Sequence, residues 1–452
     1  MRLTFLGATH TVTGSKSLLS IGDKKILIDC GLFQGLKELR ARNWAKFPVD
    51  PKSIDMIVLT HAHIDHTGYL PVLVKQGFKG KIYCSQATKE LCSILLPDSG
   101  YLQEEEARFA NKHGYTKHNP AVPLYTQAEA EATLLLFRAI AFRKSFKIDD
   151  ETSMSLIPAG HILGASFLQF KRNHITVLFS GDLGRLEDPI MYPPSVIQAA
   201  DYLVLESTYG NRLHNKVDPL DELTEMIHRT IKRNGTIIIP AFAVGRAQHL
   251  LYFMYLLKKH NRIPNVPIYL DSPMAKDATE IFRRHNELHK LDPELSQKVC
   301  EIATYVNSKE ESKALDEQMH PKIIISASGM LEGGRVLHHI RTFAPDPNSM
   351  IIFAGYQASG TRGADMIQGK KTIKLFGEEV PINAEINVLS NMSAHADYDE
   401  ILHWLSHFNH YPRKVFITHG ETEAANALKE KIEARYGWSC VVPEYMHSEI
   451  LK

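Results

Sequence analysis

Thr60-His61-Ala62-His63-Ile64-Asp65-His66-Thr67-Gly68 sets three imidazoles and one carboxylate within six residues, directly after the apolar run Ile57-Val58-Leu59. A strand end points residues i and i+2 to the same side, so His61 and His63 can converge on one ion. Asp65 and His66, on the turn that follows, face a second. Imidazole nitrogen and carboxylate oxygen at this density form a donor set of the kind zinc takes in catalytic sites, where sulfur ligands are few.

Composition bounds what surrounds that site. A chain of 452 residues exceeds the usual size of one core, so two domains are expected, and a 44% hydrophobic content is enough for both. Cys30, Cys84, Cys92, Cys300 and Cys440 are odd in number and include no CxxC pair, which argues against a disulfide framework and against cysteine-ligated zinc. The N-terminus lacks a long apolar segment and a cleavage site, so a soluble, cytoplasmic protein with no membrane partner is expected. A net charge of +1 rules out a uniformly basic surface and leaves open a basic patch on one face.

The first two hundred residues alternate short strands with turns. Strands are expected over 2–6, 17–21, 25–29, 56–60, 153–158, 165–171, 174–180 and 202–206, with helices over 69–75, 87–96 and 127–142. From about Asn211 helices and strands alternate: helices over 219–232, 244–259 and 276–285, strands over 236–239, 268–270, 322–326 and 350–353, and a polar helical stretch over 293–313. Such βα alternation implies a parallel sheet covered on both faces. Near 384–389 the chain returns toward its first pattern, so the middle block reads as an insertion.

Further candidate ligands follow apolar strands beside glycines. His161 stands after Gly160, Asp182 after Gly181 and His419 before Gly420, while Asp29 closes Ile26-Leu27-Ile28 as a carboxylate placed to orient a ligand. One histidine after a strand is more often structural; the repeated pattern carries the weight. At these residues the chain resembles the metallo-β-lactamase superfamily and, within it, the β-CASP nucleases, which include the endonuclease of messenger-RNA 3′-end cleavage and bacterial relatives. The superfamily motifs fall on Asp29, on His61, His63, Asp65 and His66, on His161 and on Asp182. The β-CASP motifs fall on Glu206 in Leu205-Glu206-Ser207-Thr208-Tyr209-Gly210, on His395 in Ser393-Ala394-His395-Ala396-Asp397, and on His419 in Thr418-His419-Gly420-Glu421.

The resemblance implies an α/β fold, a metallo-β-lactamase αββα sandwich formed by 1–208 and 389–452, with a β-CASP α/β domain inserted at 209–388. It implies two zinc ions, one held by His61, His63 and His161, the other by Asp65, His66 and His419, with Asp182 bridging. Two metals about 3.5–4 Å apart lower the pKa of bound water and stabilise charge in an in-line displacement. A bridging hydroxide would attack phosphorus, His395 would act as general acid, and Glu206 would orient its imidazole. The resemblance also marks Arg246, Ser328 and Arg362 as phosphate contacts, in turns that are Gly-rich or open a helix. One departure is visible: His249 stands where family members commonly carry Glu, which puts local substrate contacts in question.

The pairs His285/His289 and His403/His407 have helical i,i+4 spacing without the His-Glu-x-x-His pattern and read as solvated helix faces. His338-His339 and His410 lack partners in the sequence, and Lys370, Lys371 and Lys374 read as exposed charge. Together these features lead to a zinc-dependent ribonuclease acting, as an endonuclease, on single-stranded RNA. DNA processing is the nearest rival; DNA-directed members usually replace the last motif histidine with an apolar residue, and His419 is present. Small-molecule (thio)ester hydrolysis would need neither the insert nor His395. A silent binding subunit would lack ligands, and none is missing. By family analogy alone, a homodimer is allowed.

Overall fold

Strands whose residues are all apolar pack on both faces, and strands that alternate pack on one; both kinds occur here. The computed structural model of the chain describes residues 1–114, 118–318 and 320–452. These divide into two compact units, Met1–Leu213 with His395–Lys452, and His214–Ala394.

The first unit contains two seven-stranded sheets. In one, Ser448–Ile450, Arg2–Phe5, Ser17–Ile21, Lys24–Ile28, Met56–Val58, Lys81–Cys84 and Phe137–Ala139 lie side by side. In the other the order is Cys440–Val441, Lys414–Thr418, Tyr202–Glu206, Ile175–Phe179, Ser166–Arg172, Thr152–Pro158 and Phe146–Lys147. Thr152–Pro158 alternates buried and partly buried residues and sends Met154 and Leu156 into a core shared with Phe5, Ile26, Val58 and Phe416 from other strands. The rings of Phe5 and Phe416, one from each sheet, have centroids 5.2 Å apart. The sheets therefore stack face to face, as the αββα expectation requires. Residues 395–452 supply strands to both sheets, so the end of the chain completes the sandwich.

The second unit carries a six-stranded parallel sheet in the order Thr304–Tyr305, Ile268–Asp271, Ile323–Ser326, Ile237–Pro240, Met350–Phe353, Glu385–Val388. Ile237–Pro240, Ile323–Ser326 and Met350–Phe353 are buried at every position, matching their apolar runs, and the one hydroxyl among them, on Ser326, donates to the Asp271 carbonyl. The helix Pro219–Lys232 starts where Asp218 accepts a hydrogen bond from the Leu220 amide, with Pro219 in its first turn.

Several elements differ from the pattern-based expectation. The helix expected over 127–142 covers only Gln127–Leu134; the apolar run that follows becomes the strand Phe137–Ala139, which pairs in parallel with Lys81–Cys84. An open sheet edge outcompeted local periodicity. The helix expected to stop at Leu96, before a proline, runs from Gln86 to His113 through Pro97. Burial of Leu91, Leu95 and Leu96 before it and of Ala107 and Ala110 after it supports continuation. The stretch 293–313 resolves into Pro293–Cys300, the short strand Thr304–Tyr305 and Lys309–Glu317. Among the described residues no helix is long and apolar enough to cross a membrane.

Candidate metal centre

The strand Met56–Val58 ends one turn before the histidine motif, and the helical turn Ile64–Thr67 begins inside it. The loop after Lys24–Ile28 locks this turn in place. The Cys30 amide donates to the His66 carbonyl (2.7 Å) and the Leu32 amide to the Ile64 carbonyl (3.0 Å). At Gly31 an added Cβ would stand 1.5 Å from the Asp65 carbonyl oxygen, so only glycine permits this approach. Asp29 and His419 both hold positive φ, 57° and 50°, at the bends that bring their side chains to the site.

Seven side chains that the sequence reading singled out converge here. In one set His61 Nε2 lies 3.1 Å from His63 Nδ1, which lies 3.3 Å from His161 Nε2. Asp182 Oδ2 is 3.2 Å from His61 Nε2 and 3.4 Å from His161 Nε2. In the other set His66 Nε2 and His419 Nε2 are 3.1 Å apart, and Asp65 Oδ2 is 3.3 Å from His419 Nε2 and 3.7 Å from His66 Nε2. The second oxygen of Asp182 faces this set, at 3.2 Å from His66 and 3.7 Å from His419. Donors about 2.0–2.1 Å from a tetrahedral zinc stand about 3.3 Å from one another. The spacings therefore fit a metal in each set, and the nitrogen and oxygen donors suit zinc.

The protonation preferences fit as well. Burial pushes the imidazolium forms of His61 and His161 down, and His63 to about 3, favouring the neutral rings that metals bind. Burial also opposes protonation of His66, but Asp182, Asp29 and Asp65 outweigh it and raise its pKa well above the ordinary value. Asp65 and Asp182 lie below the usual carboxylate range; burial alone would raise them, and the neighbouring imidazoles reverse that.

Around the two sets the rings are held from behind. Asp29 Oδ2 takes His66 Nδ1 at 2.8 Å, and its two oxygens also accept from the Thr60 amide and hydroxyl, each at 2.8 Å. Thr60 Oγ1 lies 3.0 Å from His61 Nδ1, and Thr208 Oγ1 lies 3.1 Å from His419 Nδ1. Neither threonine was assigned a role from sequence. Thr60 adjoins His61 and Thr208 sits in the quoted Glu206 motif, but hydroxyls are too common in loops to stand out.

His395 Nε2 lies 4.0 Å from Asp182 Oδ2, and its Nδ1 is 3.0 and 3.2 Å from the two Glu206 oxygens. Glu206 is fixed in turn by the Leu183 amide (2.6 Å) and the Thr208 amide (3.2 Å). Burial works against the His395 imidazolium, yet Glu206 and then Asp182 hold it, and its pKa is raised to about 9.

Arg246, Ser328 and Arg362 lie in the second unit. There, turns after Ile237–Pro240, Ile323–Ser326 and Met350–Phe353 meet: a Cβ on Gly329 would touch Phe242, and one on Gly355 would lie 3.9 Å from Arg246 Nε. Arg246 opens the helix Arg246–Lys259 and is buried, Ser328 Oγ accepts from the Glu332 amide, and Arg362 donates to the Leu331 (2.9 Å) and Lys374 (3.1 Å) carbonyls. His249 is also buried there, its Nδ1 2.9 Å from the Gly245 carbonyl. Two other histidine readings need correction. His289 is buried and stacked on Phe282 at 3.9 Å, not on a solvated helix, because the helix Pro273–Arg284 ends before it. His339 is buried between Asp271 and Asp316, partners distant in sequence.

The chain matches known families and proteins along most of its length. Residues 13–229 match the metallo-beta-lactamase superfamily, 247–366 the Beta-Casp domain and 379–443 the Zn-dependent metallo-hydrolase RNA specificity domain. Ribonuclease TTHA0252 of Thermus thermophilus is 35% identical over 443 residues, 96% of each chain. Transcription termination factor FttA of Methanosarcina mazei is 31% identical, over 96% of this chain and 70% of that one. Cleavage and polyadenylation specificity factor 73 of Drosophila melanogaster is 28% identical, over 95% of this chain and 61% of that one. A crystal structure of a protein of unknown function from Enterococcus faecalis V583 superposes over 100% of this chain and 99% of that one with a TM-score of 0.54 at 14% identity, a likeness of fold alone.

Proposed function

The chain belongs to the β-CASP family of the metallo-β-lactamase superfamily, a family of metal-dependent hydrolytic nucleases, and from that premise we propose that it is a zinc-dependent ribonuclease that cuts single-stranded RNA internally. The observation that carries the reading is Asp182, whose two oxygens face two separate His/Asp sets while a Glu-supported histidine stands 4.0 Å away. His61, His63 and His161 would hold one zinc and Asp65, His66 and His419 the other, with Asp182 shared between them. When bound, the two ions would supply Lewis acidity toward a phosphate oxygen and lower the pKa of water held between them.

The protein's own residues do the rest. Asp29 and Thr60 keep the rings of His66 and His61 turned so that each Nε2 faces inward. Thr208 does the same for His419. His395, protonated at neutral pH, donates the Nε2 proton to the leaving oxygen as its bond to phosphorus breaks; Glu206 holds the opposite nitrogen and keeps the ring charged until that moment. Arg246 is the phosphate contact we favour in the second unit, because a guanidinium at a helix start suits an anion. The carbonyls that already occupy Arg362 argue for a structural role there.

The test is cleavage of matched end-labelled single-stranded RNA and DNA by the zinc-loaded protein, beside a chelated control and Asp65→Ala. Metal-dependent cutting of RNA that Asp65→Ala loses, with circular dichroism unchanged, is the expected result, and internal products support the endonuclease reading. Full activity in Asp65→Ala would remove the two-metal mechanism. Equal or preferential cutting of DNA would replace the substrate.

A further inference from the structure

We propose that residues 36–46, together with Tyr445 and Met446, form a docking platform for single-stranded RNA beside the Asp65/His66/His419 set. This rests on the ribonuclease reading and names where the strand lies once it leaves the scissile bond.

The short helix Lys37–Arg42 is six residues long and fully buries none of its side chains, Leu39 alone being partly covered. A helix this short with no packed face gains little from its own hydrogen bonds. It is pinned instead at its end. The Asn43 side-chain amide exchanges two hydrogen bonds with the Phe33 backbone, at 3.0 and 2.8 Å, and the Arg42 guanidinium sits 4.6 Å over the Tyr445 ring and 5.5 Å from that of Phe33. What the segment then presents to solvent is unusual for a surface. Trp44 is 59% exposed, Met446 44%, Leu36 40% and Tyr445 38%. Interleaved with these are Lys37, Arg40, Arg42 and Lys46, four cations against the single acid Glu38, a net charge of +3 on residues 36–46 of a chain that carries +1 in all.

The platform is tied to the metal centre from both sides. On one side Phe33 follows Leu32, whose amide donates to the Ile64 carbonyl next to Asp65. On the other, Glu444 adjoins Tyr445 and meets His10 Nε2 at 3.1 Å, while the His419 amide donates to Ala8, two residues before His10, at 2.8 Å. A strand leaving the Asp65/His66/His419 set along this surface meets cations spaced among aromatic faces. That is the arrangement that binds single-stranded nucleic acid: phosphates pair with Lys and Arg, and bases stack on Trp and Tyr without sequence preference. A protein partner would be served by the apolar groups but not by the excess of cations.

The chain supplies its own probe. Of its three tryptophans, Trp404 and Trp438 are buried, at 1% and 7%, so solvent-accessible quenching reports on Trp44. A short oligouridylate mixed with the zinc-loaded protein, read by stopped flow before turnover, is expected to quench this fluorescence. Trp44→Ala should weaken oligouridylate binding about 10-fold, the loss of one stacked base, while Trp44→Phe retains most of it. Arg42→Ala should reduce the slope of log Kd against log salt by roughly 0.7, one phosphate contact on a single strand. In cleavage assays Trp44→Ala should raise KM for RNA far more than it changes kcat. If the wild type cleaves RNA while oligouridylate leaves Trp44 unquenched and Trp44→Ala leaves KM unchanged, the platform proposal fails and the ribonuclease reading stands. Quenching by oligouridylate in a protein that cleaves no RNA keeps the platform and overturns the ribonuclease reading.

Discussion

The His395–Glu206 pair and the threonines behind the ligand rings make separable predictions. Glu206 holds His395 through two close contacts, so Glu206→Gln should lower kcat on RNA by about 10²–10⁴ with metal content retained. His395→Ala should cost a similar factor, and the double variant little more, because the two act as a unit. A p-nitrophenyl phosphodiester, whose leaving group needs no proton, should lose much less in either variant; equal losses on both substrates would deny His395 the acid role. Thr208→Val removes the hydroxyl 3.1 Å from His419 Nδ1 and should weaken metal binding about 10–100-fold in a competition titration, with kcat at saturating zinc far less affected. The candidate ligands stood out in the sequence because imidazole and carboxylate cluster rarely. The threonines were not, because a hydroxyl acquires its role only from the ring that the fold brings against it.

At the scale of elements, the second unit's sheet carries a buried polar cluster that sequence reading did not detect. His339 lies between Asp271 Oδ2 at 2.7 Å and Asp316 Oδ1 at 2.6 Å, and Arg335 and Ser312 also bond Asp271. Burial pulls the His339 pKa down, but the bonds to Asp271 and Asp316 prevail and raise it above 6.5. For Asp271 burial pushes up, and His339, Ser312 and Arg335 bring it below 3.8. A raised histidine pKa contributes stability that is complete below the unfolded value and is lost as pH rises through the folded one. The depressed aspartate contributes above its unfolded value and loses that contribution as pH falls. The cluster should therefore stabilise this unit most between about pH 4 and 6.5, with the denaturant midpoint declining as pH is raised from 6.5. Equilibrium unfolding across that range checks the sign, and His339→Gln should flatten the decline. The same scale explains the element misread over 127–142: Phe137–Ala139 is a strand because Lys81–Cys84 offers it a partner, which no local window contains.

For the whole molecule, the seven ligands proposed for the two ions all belong to one of the two units, Met1–Leu213 with His395–Lys452. Metal removal should accordingly lower the thermal transition of that unit and leave the other in place. At a metal concentration 1,000-fold above its Kd the shift corresponds to about 4 kcal/mol for each site. Calorimetry with and without a chelator checks this; an equal shift of all transitions would mean that metal binding stabilises both units together. By itself the sequence determined the chemistry of the centre, from the density of His and Asp at strand ends, and the class of the strands, from apolar runs against alternation. Spacing along the chain could not divide those donors; the family resemblance implied the division and only the tertiary structure supplies its geometry, because the His66–His419 contact joins residues 353 positions apart. The same holds for the shared position of Asp182 and the return of residues 395–452 into both sheets. Ligand identity is local chemistry and can be read along the chain. Ligand grouping depends on which strand ends pack side by side, and that is set by burial of the two sheets against each other.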